Sequence, residues 1–187
     1  MSCAATDQSR GGSLALGDWG WTQIANFLVS GLLTLAFAVS LRRLSASRGL
    51  DLGTVAGRGW AVGLLGAGVF VTDPVNGYPP GVPDRLSGYS WHGALHDLFS
   101  LFAFAALAAA CCVFARRFAA RGERGWATCT VVTGVVFVSA LIPSSAGFGR
   151  AEGLVELAGL FQHVAIIVGF GWLTLLAVQL LRSSSER

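Results

Sequence analysis

The chain has 187 residues, enough for one compact unit, of which 53% are hydrophobic and only 12% charged, about half the charged content of an average globular protein. With a mean hydropathy of +0.63, this composition excludes an ordinary soluble domain. All basic residues are arginines, clustered beside apolar runs, so the net charge of +3 reads as a topology signal rather than as affinity for nucleic acid.

Residues Met1 to Gly12 are polar and carry Arg10 with no apolar stretch behind it, so they form no signal-peptide core. The first apolar segment, Trp19 to Leu41, has no formal charge and is long enough to cross a hydrocarbon layer of about 30 Å. Trp19 and Trp21 stand at an interfacial position at one end, and Arg42 and Arg43 close the other.

The second segment is short. Only Gly59 to Thr72 separate Arg58 from Asp73. A crossing is still the better reading, because Arg58 can extend its stem toward headgroups, and it draws Asp73 to the membrane edge. Gly59, Gly63 and Ala67 repeat every fourth residue and offer a face for close helix contact. The stretch Asn76 to Ser90, with Pro79, Pro80 and Pro83, reads as a loop.

A third helix is expected from Trp91 to about Ala115, ended by Arg116 and Arg117, with His92, His96 and Asp97 in its first turns. The fourth is expected from Trp126 to Ile142, stopped by Pro143, with Ser144 and Ser145 as loop caps. The fifth covers roughly Gly153 to Leu181, carries Glu156, Gln162 and His163 early, and has small residues Ala165 and Gly169 on one face.

The reading is therefore all-α: a polytopic bundle of five transmembrane helices at about 19–41, 57–73, 91–115, 126–142 and 153–181. It comprises a polar tail over 1–18, a membrane domain over 19–182 and a second tail over 183–187. Arginines concentrate at Arg42, Arg43, Arg48 and Arg58, and again at Arg116, Arg117, Arg121 and Arg124. The intervening loops, Asp73 to Ser90 and Pro143 to Glu156, carry Arg85 and Arg150 against a majority of acids. The positive-inside rule then puts the N-terminus outside and the C-terminus in the cytoplasm.

Four cysteines, Cys3, Cys111, Cys112 and Cys129, show no CxxC or Cys/His metal spacing, and no metal or cofactor is expected. Cys111 and Cys112 are adjacent and point in different directions on a helix, as small core residues do. Nor is there a GxSxG elbow, an HExxH motif or a phosphate-binding glycine loop, so the expectation leans away from an enzyme.

The polar residues that remain gather at one end of the predicted bundle: Asn26, Asp73, His92, His96, Asp97, Gln162 and His163. Ionisable groups at membrane depth face a cavity or each other, so these seven are the candidate lining of an outer pocket for a small molecule or lipid headgroup. His92 and His96, four apart, share a helix face, and a further reading is a proton- or metal-sensitive pocket in which Asp73 accepts from an imidazole and fixes its tautomer. The bland alternative is that these are interfacial groups satisfying one another. Two others remain: a membrane enzyme or proton-coupled transporter acting on a lipid or small amphiphile, and a single b-type haem held between His96 and His163. The bilayer is the one partner the sequence implies; oligomeric state is not legible in it.

The run Ser13-Leu-Ala-Leu-Gly17, then Gly20-Trp21-Thr-Gln-Ile-Ala-Asn26-Phe27 with Gly31, resembles a segment of the family called domain of unknown function 998. So do Gly63-Leu-Leu-Gly66 leading into Phe70-Val-Thr-Asp73-Pro74, Gly93-Ala-Leu-His96, and Gly159-Leu-Phe-Gln162 with Trp172-Leu173. The likeness spans about Ser13 to Leu181. It implies a polytopic bundle, usually of six helices, in a bacterial inner membrane, and it implies no activity. Only twelve residues precede Ser13, so the family's first helix is expected to be missing, through loss or through a start codon placed downstream of the true one.

Overall fold

The computed structural model describes residues 13–16, 19–44, 52–74 and 88–185. It is all-helical, and no strand occurs among the described residues. A short 3-10 turn, Ser13–Leu16, precedes α1 (Gly20–Leu44), α2 (Leu52–Val69), α3 (Trp91–Ala120) and α4 (Arg124–Phe148). A second 3-10 turn, Val155–Leu157, leads into α5 (Ala158–Ser185). The helices pack in chain order, each against the next.

Four of the helices are long and apolar enough to cross a membrane. Their most apolar windows are only 17% to 28% buried inside the protein. Leu32, Leu33, Leu101, Ile142, Ile167 and Leu181 are each more than half exposed. So much apolar surface turned outward is stable only against lipid, and the chain is a multi-pass membrane protein.

Among the described residues, the helix ends differ from the sequence expectation where capping or packing overrides local signals. α2 starts at Leu52 rather than near 57 and stops at Val69, short of Asp73. Its apolar part, Val55–Val69, is shorter than the other four spans. Pro74 disfavours helical geometry at Asp73, and Phe70 to Pro74 leave the helix. α3 continues past Arg116 and Arg117 to Ala120. There Gly122 takes φ 75°, and its N–H and that of Glu123 close onto Ala119 and Phe118 carbonyls, a Schellman stop. α4 runs through Pro143 to Phe148; a proline inside a membrane helix removes one bond, and neighbouring groups compensate.

Contacts between helices are made by small residues. A Cβ at Gly63 of α2 would lie 2.6 Å from the Cβ of Ala103 on α3, and one at Gly66 only 2.2 Å from the Phe99 ring. On α5, Ala165 is fully buried, and Gly169 lies against Leu107 and Phe137. The core continues with Trp60, Leu107, Phe137, Trp172 and Leu176. Within it Trp172 Nε1 of α5 donates to Thr130 Oγ1 of α4 at 3.2 Å. Cys111 is buried and the adjacent Cys112 exposed, in keeping with the different directions that neighbouring residues take on a helix.

Candidate functional site

At the arginine-poor end, all five helices surround a cavity of about 330 Å³, within the range of small-molecule sites. Its apolar wall includes Phe27, Trp60, Leu64, Phe104, Ile166 and Phe170, and its polar groups come from α1, α3, α4 and α5. Asn26 and Ser145, which line it, are also exposed.

Of the seven residues singled out in the sequence, Asn26, His96, Asp97 and Gln162 line this cavity, and Asp73, His92 and His163 do not. His96 is 5% exposed. Its Nδ1 lies 3.0 Å from the Ala67 carbonyl and 2.8 Å from that of Phe70. Both are acceptors at the end of α2, where the last carbonyls lack intrahelical partners. His96 therefore caps α2 from α3, and the carbonyls place the proton on Nδ1. The expectation that Asp73 would set an imidazole tautomer does not match this geometry.

Asp73 instead closes the start of α3. Its carboxylate accepts from Ser90 N at 2.8 Å and Ser90 Oγ at 2.6 Å, and Ser90 Oγ accepts from Gly93 N at 3.0 Å. Gly93 is required here, because a Cβ would fall 2.3 Å from Asp73 Oδ2. His92 is exposed. Asp97, one residue beyond His96, accepts a short hydrogen bond from the Tyr89 hydroxyl.

His163 donates from Nδ1 to the Gly159 carbonyl of its own helix at 2.7 Å. It is absent from the wall that His96 lines, so the two histidines do not face one cavity as a haem-ligating pair would. Among the described residues, no three His, Cys, Asp or Glu side chains come together to hold a metal ion.

Gln23, Ser30, Ser100, Ser144 and Ser145 also line the cavity; sequence reasoning passed over the first three and read the last two as loop caps, whereas both lie inside α4. A signal was present for three. Gln23, Asn26 and Ser30 fall at i, i+3 and i+7, one helix face, and Ser100 follows His96 by four. The serines after Pro143 carried none, because a proline ordinarily ends the helix. Ser144 is buried and donates to the Ala158 carbonyl at 3.0 Å, at the start of α5.

A model of the family described as Protein of unknown function (DUF998) matches residues 12–179. The chain belongs to the DUF998 family. No curated protein and no solved structure matches it. For this DUF998 protein the cavity geometry therefore carries the functional argument, and every helix that builds it falls within the matched region apart from the last residues of α5.

Proposed function

We propose that this DUF998 protein binds a small amphiphilic molecule in the cavity among its five helices, at the outer leaflet of a bacterial inner membrane. One observation carries the reading: polar side chains from four helices converge on a cavity walled by aromatic and aliphatic groups. Membrane bundles keep polar groups at that depth for satisfaction or for a ligand. Here Asn26, Asp97, Ser100, Ser145 and Gln162 all bring polar groups to the wall of one cavity. The outer assignment follows from the arginine distribution, with Arg116, Arg117, Arg121 and Arg124 at the opposite end. A role in binding is favoured over catalysis because, among the described residues, no serine of the wall is hydrogen-bonded to His96, whose Nδ1 is engaged by the α2 carbonyls.

Native mass spectrometry of the protein extracted from membranes in a mild detergent tests this. A bound species is expected with the natural sequence and lost in Ser145→Trp, which fills the rim from an exposed position while the melting temperature stays unchanged. Identical spectra for the two proteins would remove the reading.

A further inference from the structure

Trp60 and Trp172 are almost fully buried in the bundle, each 2% exposed. An indole N–H withdrawn from water ordinarily finds an acceptor. Trp172 has one in Thr130 Oγ1. Trp60 Nε1 has none among the described residues, and a buried donor left unmet is costly and rare in native structures.

Trp60 lines the cavity together with Gly63, Leu64 and Ala67 from the same face of α2. Ala67 is level with His96, whose Nδ1 meets its carbonyl. Trp60 lies nearer the arginine-rich end of α2, about 10 Å deeper at the rise of an α-helix. Phe104 and Phe170 reach the same depth, about two turns beyond His96 and Gln162 on their own helices. Their ring centroids lie 6.3 Å and 5.5 Å from that of the indole. The cavity thus carries its polar groups toward the mouth and an aromatic floor below, and the unmet N–H belongs to the floor.

The side chains that line this deep part, Leu64, Phe104, Ile166 and Phe170, contain no oxygen. An acceptor for Trp60 therefore has to come from what fills the cavity. A single N–H in apolar surroundings does not offset the desolvation of a carboxylate or a phosphate. A hydroxyl accepts, but it brings a donor of its own into the same surroundings. A carbonyl or ether oxygen accepts, is neutral and adds no donor.

We propose, resting on the reading that the cavity holds a ligand, that its occupant carries a neutral carbonyl or ether oxygen at its buried end. That oxygen accepts from Trp60 Nε1, and the apolar body beside it lies against Phe104 and Phe170. A free ketone or ether and the ester of a membrane lipid share this chemistry.

The full chain, labelled with nitrogen-15 in its tryptophan indoles and held in dodecyl maltoside micelles, is titrated with two probes. Acetophenone carries the carbonyl, and α-methylstyrene has nearly the same shape with a methylene in place of the oxygen. Concentrations are taken as mole fractions in the micelle, and the indole resonance missing from Trp60→Phe identifies Trp60. Acetophenone is expected to bind about tenfold more tightly than the alkene, as satisfying a buried donor does. It is expected to move the Trp60 resonance downfield, and the alkene is not. Trp60→Phe is expected to bring the two probes to equal affinity. If that variant does not melt like the natural protein, 3-benzothienylalanine at position 60, with sulfur for the N–H in a ring of the same shape, must abolish the preference instead. Added phosphatidylglycerol separates the sources: displacement of acetophenone assigns the oxygen to a lipid ester, no displacement assigns it to a free molecule, and either upholds the acceptor. A Trp60 resonance already at the bonded position without a probe, and unmoved by acetophenone, gives the donor to water and overturns the proposal. Equal binding of ketone and alkene to the natural protein also overturns it, and leaves the cavity reading standing. Binding of neither overturns both.

Discussion

Replacing His96 with phenylalanine keeps a ring of similar shape and removes Nδ1, so the Ala67 and Phe70 carbonyls lose the donor that now bonds both. A buried acceptor left without a partner costs about 1–3 kcal/mol, and His96→Phe should lower stability by that order in a denaturation curve in detergent micelles. His163→Phe is the control. Its Nδ1 bonds a carbonyl that its own helix already engages, and a loss under about 0.5 kcal/mol is expected, the scale of a substitution outside the core network. Equal losses would mean that His96 does not cap α2. The two histidines look alike as a sequence, both early in an apolar helix. Only the neighbouring helix distinguishes them: His96 meets the end of α2, and His163 meets its own preceding turn.

At the scale of the elements, helix ends and contacts follow backbone geometry more than composition. α4 ends in a Schellman arrangement in which Arg150 and Ala151 N–H groups bond the Gly147 and Ala146 carbonyls. Arg150 takes φ 68°, a conformation that costs a residue with a Cβ about 1–2 kcal/mol. Arg150→Gly should therefore be more stable than Arg150→Ala by about 1 kcal/mol, the comparison in thermal unfolding cancelling the lost side chain. No difference would mean the turn is not held there. A second pair tests packing. Gly63→Ala sets a methyl against the backbone and Cβ of Ala103 and should cost about 1–3 kcal/mol. Gly171→Ala meets open space and should be neutral or stabilising by up to about 1 kcal/mol. The four-residue spacing of Gly59, Gly63 and Ala67 made this contact legible beforehand. The ends of α3 and α4 were not legible, because arginine pairs and a proline are local signals. Gly122 lets α3 outrun the first, and packing of Ser144 against the start of α5 carries α4 past the second.

For the whole molecule, the orientation has a direct test. With the native cysteines replaced, a cysteine at Gly88 should react with a membrane-impermeant maleimide added to intact cells, and one at Gly125 should react only after lysis. The opposite pattern would invert the bundle and move the proposed cavity to the cytoplasmic leaflet. Amino-acid order alone determined that this chain is a helical membrane protein of DUF998 type, since apolar length and low charge leave no other solvent for these helices. It also gathered Asn26, His96, Asp97 and Gln162 at one end, because helix direction and residue number together set depth. What it did not determine is which polar groups at that depth face a common space. Asp73 and His92 lie at the same end yet stay out of the cavity, while Gln23, Ser30, Ser100 and the serines beyond Pro143 enter it. Depth is a property of one helix. Facing depends on how five helices rotate against each other, and small residues such as Gly63 and Gly169, matched to partners far away in the chain, are what set those rotations.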